Sequence, residues 1–528
     1  MSAAAMQAGR VEGWAASGAV AAGLAVAARS SALCFIAVPA PVTSAAAIVD
    51  AFRDQPKVAW TSGELTLVGV GCARELRGAG VDRWAEIVRA ARAIETAGAV
   101  IAGEPAALPA LGGARPRFIG GAAFAPGAAD RAPWTGFGDA WFVLPRWTYV
   151  RDGARAHLVL AVDARDAANA TRWHDELARH HAAFAARTAR PQPALVELQR
   201  ASPAEWRDQV VAITDAIAGG TCSKIVAART AMIALAGAVR PADLLAALDH
   251  RHADCVRVLL QPPNAGTLVA ATPERLVRRD GELVWCDALA GTRSIHPGAL
   301  PQDPPGNGSH TPGFHPGALS QDPPGNGRDR IVAEASAALL ASTKDRREHA
   351  LVVDAIRAAL ADCVDVDAPA EPDVRILRHV VHLHTPFRAR LGEPRHVLEL
   401  AARLHPTPAV GGTPREIAVD WIRSREPVAR GWYAAPVGWF DLDGNGELAV
   451  AIRSGVLAGN RAHLWAGAGI VAGSDPDREL AETELKLRAM LGALGVTAEP
   501  EPADRSDRGE RSDRGERTER SDRPEGAE

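Results

Sequence analysis

The residues best suited to chemistry lie between Arg430 and Met490. The string G-E-L-A-V-A-I-R-S-G alternates like a strand, with Leu448, Val450 and Ile452 on one face and Ala449, Ala451, Arg453 and Gly455 on the other. An arginine among small residues leaves room for an anion over its guanidinium, and the planar fork suits a carboxylate. Gly459-Asn460 offers a turn, and a second strand ends in Ala466-Gly467-Ala468-Gly469, where bare backbone lets a ligand come close. Ser474-Asp475-Pro476 opens a helix, with Pro476 at the first position, where its missing N–H costs little. Glu479, Glu482 and Lys486 follow at i, i+3 and i+7 and share one face. Alone, such a stripe is usually a solvated face. Beside Arg453 and the two glycines, it places carboxylates, a lysine and an arginine around one glycine-lined surface.

Four strings in this order, R-x-x-Y-x-x-P-V-G-W, G-x-G-E-x-x-V-A-I-R, G-A-G-I-V and S-D-P-x-x-E-x-x-E-T-x-x-K, resemble the chorismate-utilising enzymes. That family holds isochorismate, salicylate, anthranilate and aminodeoxychorismate synthases. The resemblance is strong over 200–490 and weak over 32–190. It implies an α+β fold like that of anthranilate synthase component I. Large, mostly antiparallel sheets would be flanked by helices, with a pseudo-twofold repeat.

The bulk of the chain agrees with a large folded enzyme. Its 528 residues are 47% hydrophobic with a formal net charge of −4, enough for a sizeable core and without a basic surface for nucleic acid. Six scattered cysteines form no C-x-x-C, which fits a reduced, cytoplasmic compartment better than a disulfide or zinc framework. No apolar run is long enough to span a membrane. Residues 1–30 read as an alanine-rich, weakly ordered leader, 31–497 as a single catalytic domain, and 498–528, with S-D-R-G-E-R repeated at 506 and 512, as a disordered charged tail.

Several elements must position the site. Residues 202–217 read as a helix capped by Ser202, and C-S-K-I-V-A-A-R-T as a β-branched strand bearing Lys224. On its own Lys224 reads as a lysine whose stem lies on the core while its amine reaches water. Glu274 follows a proline at a strand end in V-A-A-T-P-E-R-L-V, and Gly291-Thr292 reads as a turn. H-P-G-A-L-P-Q-D-P-P-G-N-G at 296–308 is nearly repeated at 315–327; its Pro/Gly content predicts a flexible loop, and its histidines fix no metal geometry. Asp329–Cys363 reads as one long helix. Its K-D-R-R-E-H looks like a solvated charge run, yet Asp345 and Glu348 repeat the i, i+3 spacing of Glu479 and Glu482.

The resemblance assigns roles that spacing alone does not. It makes Lys224 the general base and Glu274 the general acid. Glu348 and Glu482 would be Mg²⁺ ligands, with Asp345 and Glu479 behind them. Gly291 and Thr292, Tyr433, Arg453, Gly467 and Gly469 would contact substrate, as would, with less support, His382 and Lys486. Chorismate gains an oxygen at C2 and loses one at C4 on becoming isochorismate, so an acid must protonate the leaving hydroxide while a base activates water. Lys224 marks the members that use water rather than ammonia, which implies no obligatory glutamine amidotransferase. Ala409 stands where the members that eliminate pyruvate tend to carry threonine. The expectation is therefore a Mg²⁺-dependent, reversible isochorismate synthase, an isomerase acting as a monomer.

Overall fold

The run Leu33–Pro39 shows no polar alternation because both of its faces are buried: Leu33, Phe35 and Ala37 enter one apolar cluster, and Cys34, Ile36 and Val38 enter another. In the computed structural model, which describes residues 18–30, 32–52, 55–101, 104–106, 108–184, 191–295, 326–377 and 380–496, such strands build two sheets. One has fourteen strands and the other ten. Among the described pairings only Leu33–Pro39 against Thr96–Ile101 is parallel. The first cluster draws side chains from both sheets, whereas the second lies on the outer face of the larger sheet beneath helices Ala45–Ala51 and Pro241–Arg251.

In chain order, the elements that carry the site are strands β1 (Lys224–Leu235), β2 (Thr267–Thr272), β3 (Arg275–Asp280), β4 (Leu283–Ser294), β5 (Val380–Leu391), β6 (Gly446–Val450), β7 (Ser454–Ala458) and β8 (Arg461–Ile470). They are joined by helices α1 (Thr343–Ala359) and α2 (Pro476–Ala493). The larger sheet holds β1, β8, β7 and β2 side by side, and the smaller holds β5, β4, β3 and β6. Two short connections between these strands carry the chain directly from one sheet to the other, at Pro273-Glu274 and at Ala451–Arg453. Val450 N donates to Glu274 O at 3.0 Å, and Ala271 N donates to Arg453 O at 3.1 Å, so the two crossings are tied together.

Several expectations need correction. The single strand read through 446–455 is two strands in different sheets, and Arg453 sits at the bend with φ 48°, a left-handed conformation unusual for a residue bearing a Cβ. Gly291-Thr292 is no turn. It is a bulge inside β4, where Gly291 at φ 71° shifts the register against β5. The long helix at 329–363 is two, Asn326–Ala341 and α1. The break falls at Ser342, whose hydroxyl caps the new helix by accepting from Asp345 N at 3.2 Å. Residues 18–27, expected in a weakly ordered leader, form a helix with Ala19, Val20, Leu24 and Ala27 buried in the second cluster. Small side chains hide its apolar face. Residues 1–17, the insertion through 325 and the tail from 497 lie outside the described residues.

Candidate active site

One cavity at the seam of the sheets is walled by Glu274, Gly291, Thr292, Glu348, His382, Ala409, Tyr433, Arg453, Gly467, Gly469, Glu482 and Lys486. Residues separated by more than two hundred positions thus share one enclosed space. Of the others named from the sequence, Asp345 and Glu479 lie outside the wall and Lys224 stands directly behind it.

Lys224 opens β1 and is fully buried, so its amine does not reach bulk water. Its Nζ donates to Glu348 Oε1 at 2.8 Å. Burial works against the charge of Glu348, but Lys224 more than compensates and holds its carboxyl below the usual range. Gly469 on β8 makes this pair possible: a Cβ there would fall 2.5 Å from Glu348 Oε1 and 2.8 Å from Lys224 Cε. The room that this glycine leaves is therefore not all for a ligand; protein takes part of it.

Glu274 has the opposite electrostatics. It is buried at the first crossing, and desolvation pushes its carboxyl up to about 7, with Lys224 opposing the rise. It can therefore hold a proton near neutrality.

At the second crossing Arg453 Nη2 lies 3.2 Å from His382 Nε2. An arginine only donates, so Nε2 must accept and the ring proton belongs on Nδ1, 3.1 Å from Gly291 O and 3.0 Å from Thr292 Oγ1. Burial, then Arg453, hold His382 far below its ordinary value, so it is neutral. The bulge in β4 is what turns Gly291 O toward this ring.

Helix α2 brings Glu482 and Lys486 to the cavity, with Nζ 2.7 Å from Glu482 Oε1 and 2.8 Å from Gly467 O. It is held on the sheet by the buried Arg229 of β1, which reaches Glu484 Oε1 at 2.6 Å. Glu479 is buried behind and pairs with Lys344 at 2.6 Å. Burial and then the charge of Glu482 raise the carboxyl of Glu479, while burial and, despite the Ser342 hydrogen bond, Glu348 raise that of Asp345.

These groups fit a divalent cation. Carboxylates from two helices, Glu348 of α1 and Glu482 of α2, face one cavity and offer the hard oxygen ligands that such an ion prefers. Among the described residues they form no group of three ligand atoms within 4.8 Å, so the protein would give Mg²⁺ only one or two oxygens, as that ion commonly accepts.

Sequence reasoning missed Arg430 and Trp465, both in the wall. Arg430 is buried, donates to Val410 O at 2.6 Å and Val226 O at 2.7 Å, and so fixes the loop of Ala409 to β1. Its place in R-x-x-Y was the available signal. Trp465 stacks on Tyr433 with centroids 6.1 Å apart.

Residues 51–492 match the chorismate binding enzyme family, and the chain belongs to it. The salicylate biosynthesis isochorismate synthase of Pseudomonas aeruginosa is 37% identical over 455 residues, covering 84% of this chain and 86% of that one. The solved structure of MenF, the menaquinone-specific isochorismate synthase of Escherichia coli, superimposes with a TM-score of 0.68 at 25% identity, over 88% of this chain and 95% of the other. Anthranilate synthase component I of Streptococcus pneumoniae, at 18% identity and a TM-score of 0.58 over 81% of this chain and 92% of that one, shares the fold. Among the described residues no helix is long and apolar enough to cross a membrane.

Proposed function

We propose that this enzyme is an isochorismate synthase that interconverts chorismate and isochorismate with Mg²⁺ bound. The observation that carries the reading is the pair of unlike groups in one buried place: a carboxyl held neutral up to about pH 7 at Glu274, and a lysine–carboxylate pair at Lys224 and Glu348. Proton delivery to a leaving hydroxyl and proton removal from water need two such groups. The names of the relatives support the same reaction.

Glu274 gives its proton to the departing C4 hydroxyl. Lys224, in its neutral form, takes one from the water that adds at C2, so the proton delivered to the leaving hydroxyl is balanced by the one removed from water. Arg453, steadied by His382, holds a carboxylate of the substrate, and the neutral phenol of Tyr433 donates beside it. Glu348 and Glu482 would hold Mg²⁺, which supplies positive charge against the ring carboxylate.

Ala409 bears on the fate of the product. Its methyl cannot hydrogen-bond the intermediate, so the enolpyruvyl ether survives. The test is incubation of the protein with chorismate and Mg²⁺, with products separated by chromatography and pyruvate read by lactate dehydrogenase coupling. We expect isochorismate in equilibrium with chorismate, no activity in chelator, and negligible pyruvate. Ala409→Thr should slow the interconversion and introduce some pyruvate release. Full activity in chelator would remove Mg²⁺ from the scheme, and abundant pyruvate from the wild type would make the enzyme a salicylate synthase.

A further inference from the structure

A second cavity adjoins the first and shares three wall residues with it: Thr292, Arg453 and Lys486. Among the described residues four cations line it, Arg251, Arg453, Lys486 and Arg488, against one carboxylate, Asp254. Arg251 and Arg488 are exposed at its outer side, whereas Arg453 and Lys486 are partly covered where the two spaces meet. Arg488 has no ion-pair or hydrogen-bond partner among the described residues, and Arg453 has no carboxylate partner there. Lys486 is paired with Glu482, so the unneutralised charge comes from Arg488 and Arg453. The row of cations leads from solvent to the arginine and lysine of the candidate site.

The geometry points to this cavity as the entrance for the anionic substrate, with Arg488 and Arg251 as its capturing residues. A dicarboxylate drawn in by exposed cations exchanges them for Arg453 and Lys486 without crossing an uncompensated step. Cations focused in a low-dielectric cleft raise association rates, and salt weakens the effect. The inference rests on the reading of the first cavity as a chorismate site.

Trp465 lines that first cavity, so tryptophan emission can report binding independently of turnover. Full-length protein is mixed with chorismate by stopped flow at low and high salt. Arg488→Glu should lower the association rate constant about tenfold at low salt, with the difference closing toward 1 M salt. Arg89→Glu, the same charge change on a helix lining neither cavity, should have little effect. Ala489→Trp, which narrows only the second cavity, should slow association and dissociation by one common factor and leave Kd unchanged. Equal association rates for wild type and Arg488→Glu at low salt, or an Ala489→Trp protein with unaltered rates, would overturn the entrance while leaving the substrate reading intact. No binding signal from the wild type would overturn the substrate reading, and the entrance with it.

Discussion

Glu274 sits at the same seam as Lys224, and burial raises the proton affinity of its carboxyl. The folded value of Glu274, about 7, lies above the ordinary 4.5, so the folded protein keeps a proton that the unfolded chain releases. Stability from this group is fully present below about pH 4.5 and is lost as pH rises through about 7. Glu274→Gln, neutral at every pH, should therefore stabilise the protein at pH 8, by about 3 kcal/mol at most, and leave it unchanged at pH 4. Denaturant titrations at the two pH values measure this. In the proposed mechanism the same proton is the catalytic one, so kcat/KM should fall as pH rises through about 7. Lys224→Ala and Glu274→Gln should each lower kcat by roughly 10²–10⁴ while chorismate binding changes much less. Near-normal turnover by Lys224→Ala would make the lysine a structural partner of Glu348.

At the scale of elements, β8 and the two helices are set by what fits between them. Gly469→Ala would drive a methyl onto Glu348 and Lys224, both fixed by their ion pair, whereas the nearest atoms to a Cβ at Gly467 stand 3.1 Å away. Turnover should fall at least tenfold in Gly469→Ala and markedly less in Gly467→Ala, with both folded by circular dichroism. Ser342 begins the helix that carries Glu348. Ser342→Ala removes that cap and should cost about 1 kcal/mol in a denaturant titration.

At the scale of the whole molecule, the outer layer of the larger sheet begins earlier in the chain than its composition suggests. Leu24 is 4% exposed and packs in the second apolar cluster. Leu24→Ala should cost about 3 kcal/mol, read as a lowered denaturant midpoint with unchanged slope. A Tm equal to wild type would return this segment to a loosely held leader. By contrast, the Pro/Gly repeat predicts that deletion of 296–314 should leave the midpoint almost unchanged, because the length of a flexible loop enters stability only logarithmically.

What the sequence determined by itself was local. Pro476 and Asp475 set the start of α2, and Ser202 that of Pro203–Ala218, because caps act within one turn. The apolar run around Lys224 was enough for a strand, and the family strings were enough to gather most of the cavity wall. Tertiary structure decided the rest. Nothing in G-E-L-A-V-A-I-R-S-G shows that the chain changes sheets at Ala451–Arg453, since both halves alternate as strands and the break is set by what each half pairs with. The same holds for Gly291, whose bulge exists only against β5. Lys224 could not be told from a lysine reaching water, because its partner Glu348 lies 124 residues away on a helix whose charge run looks solvated. The exposed cations of the proposed entrance were invisible for the same reason: Arg251 and Arg488 belong to distant segments, and only packing brings their charges to one wall.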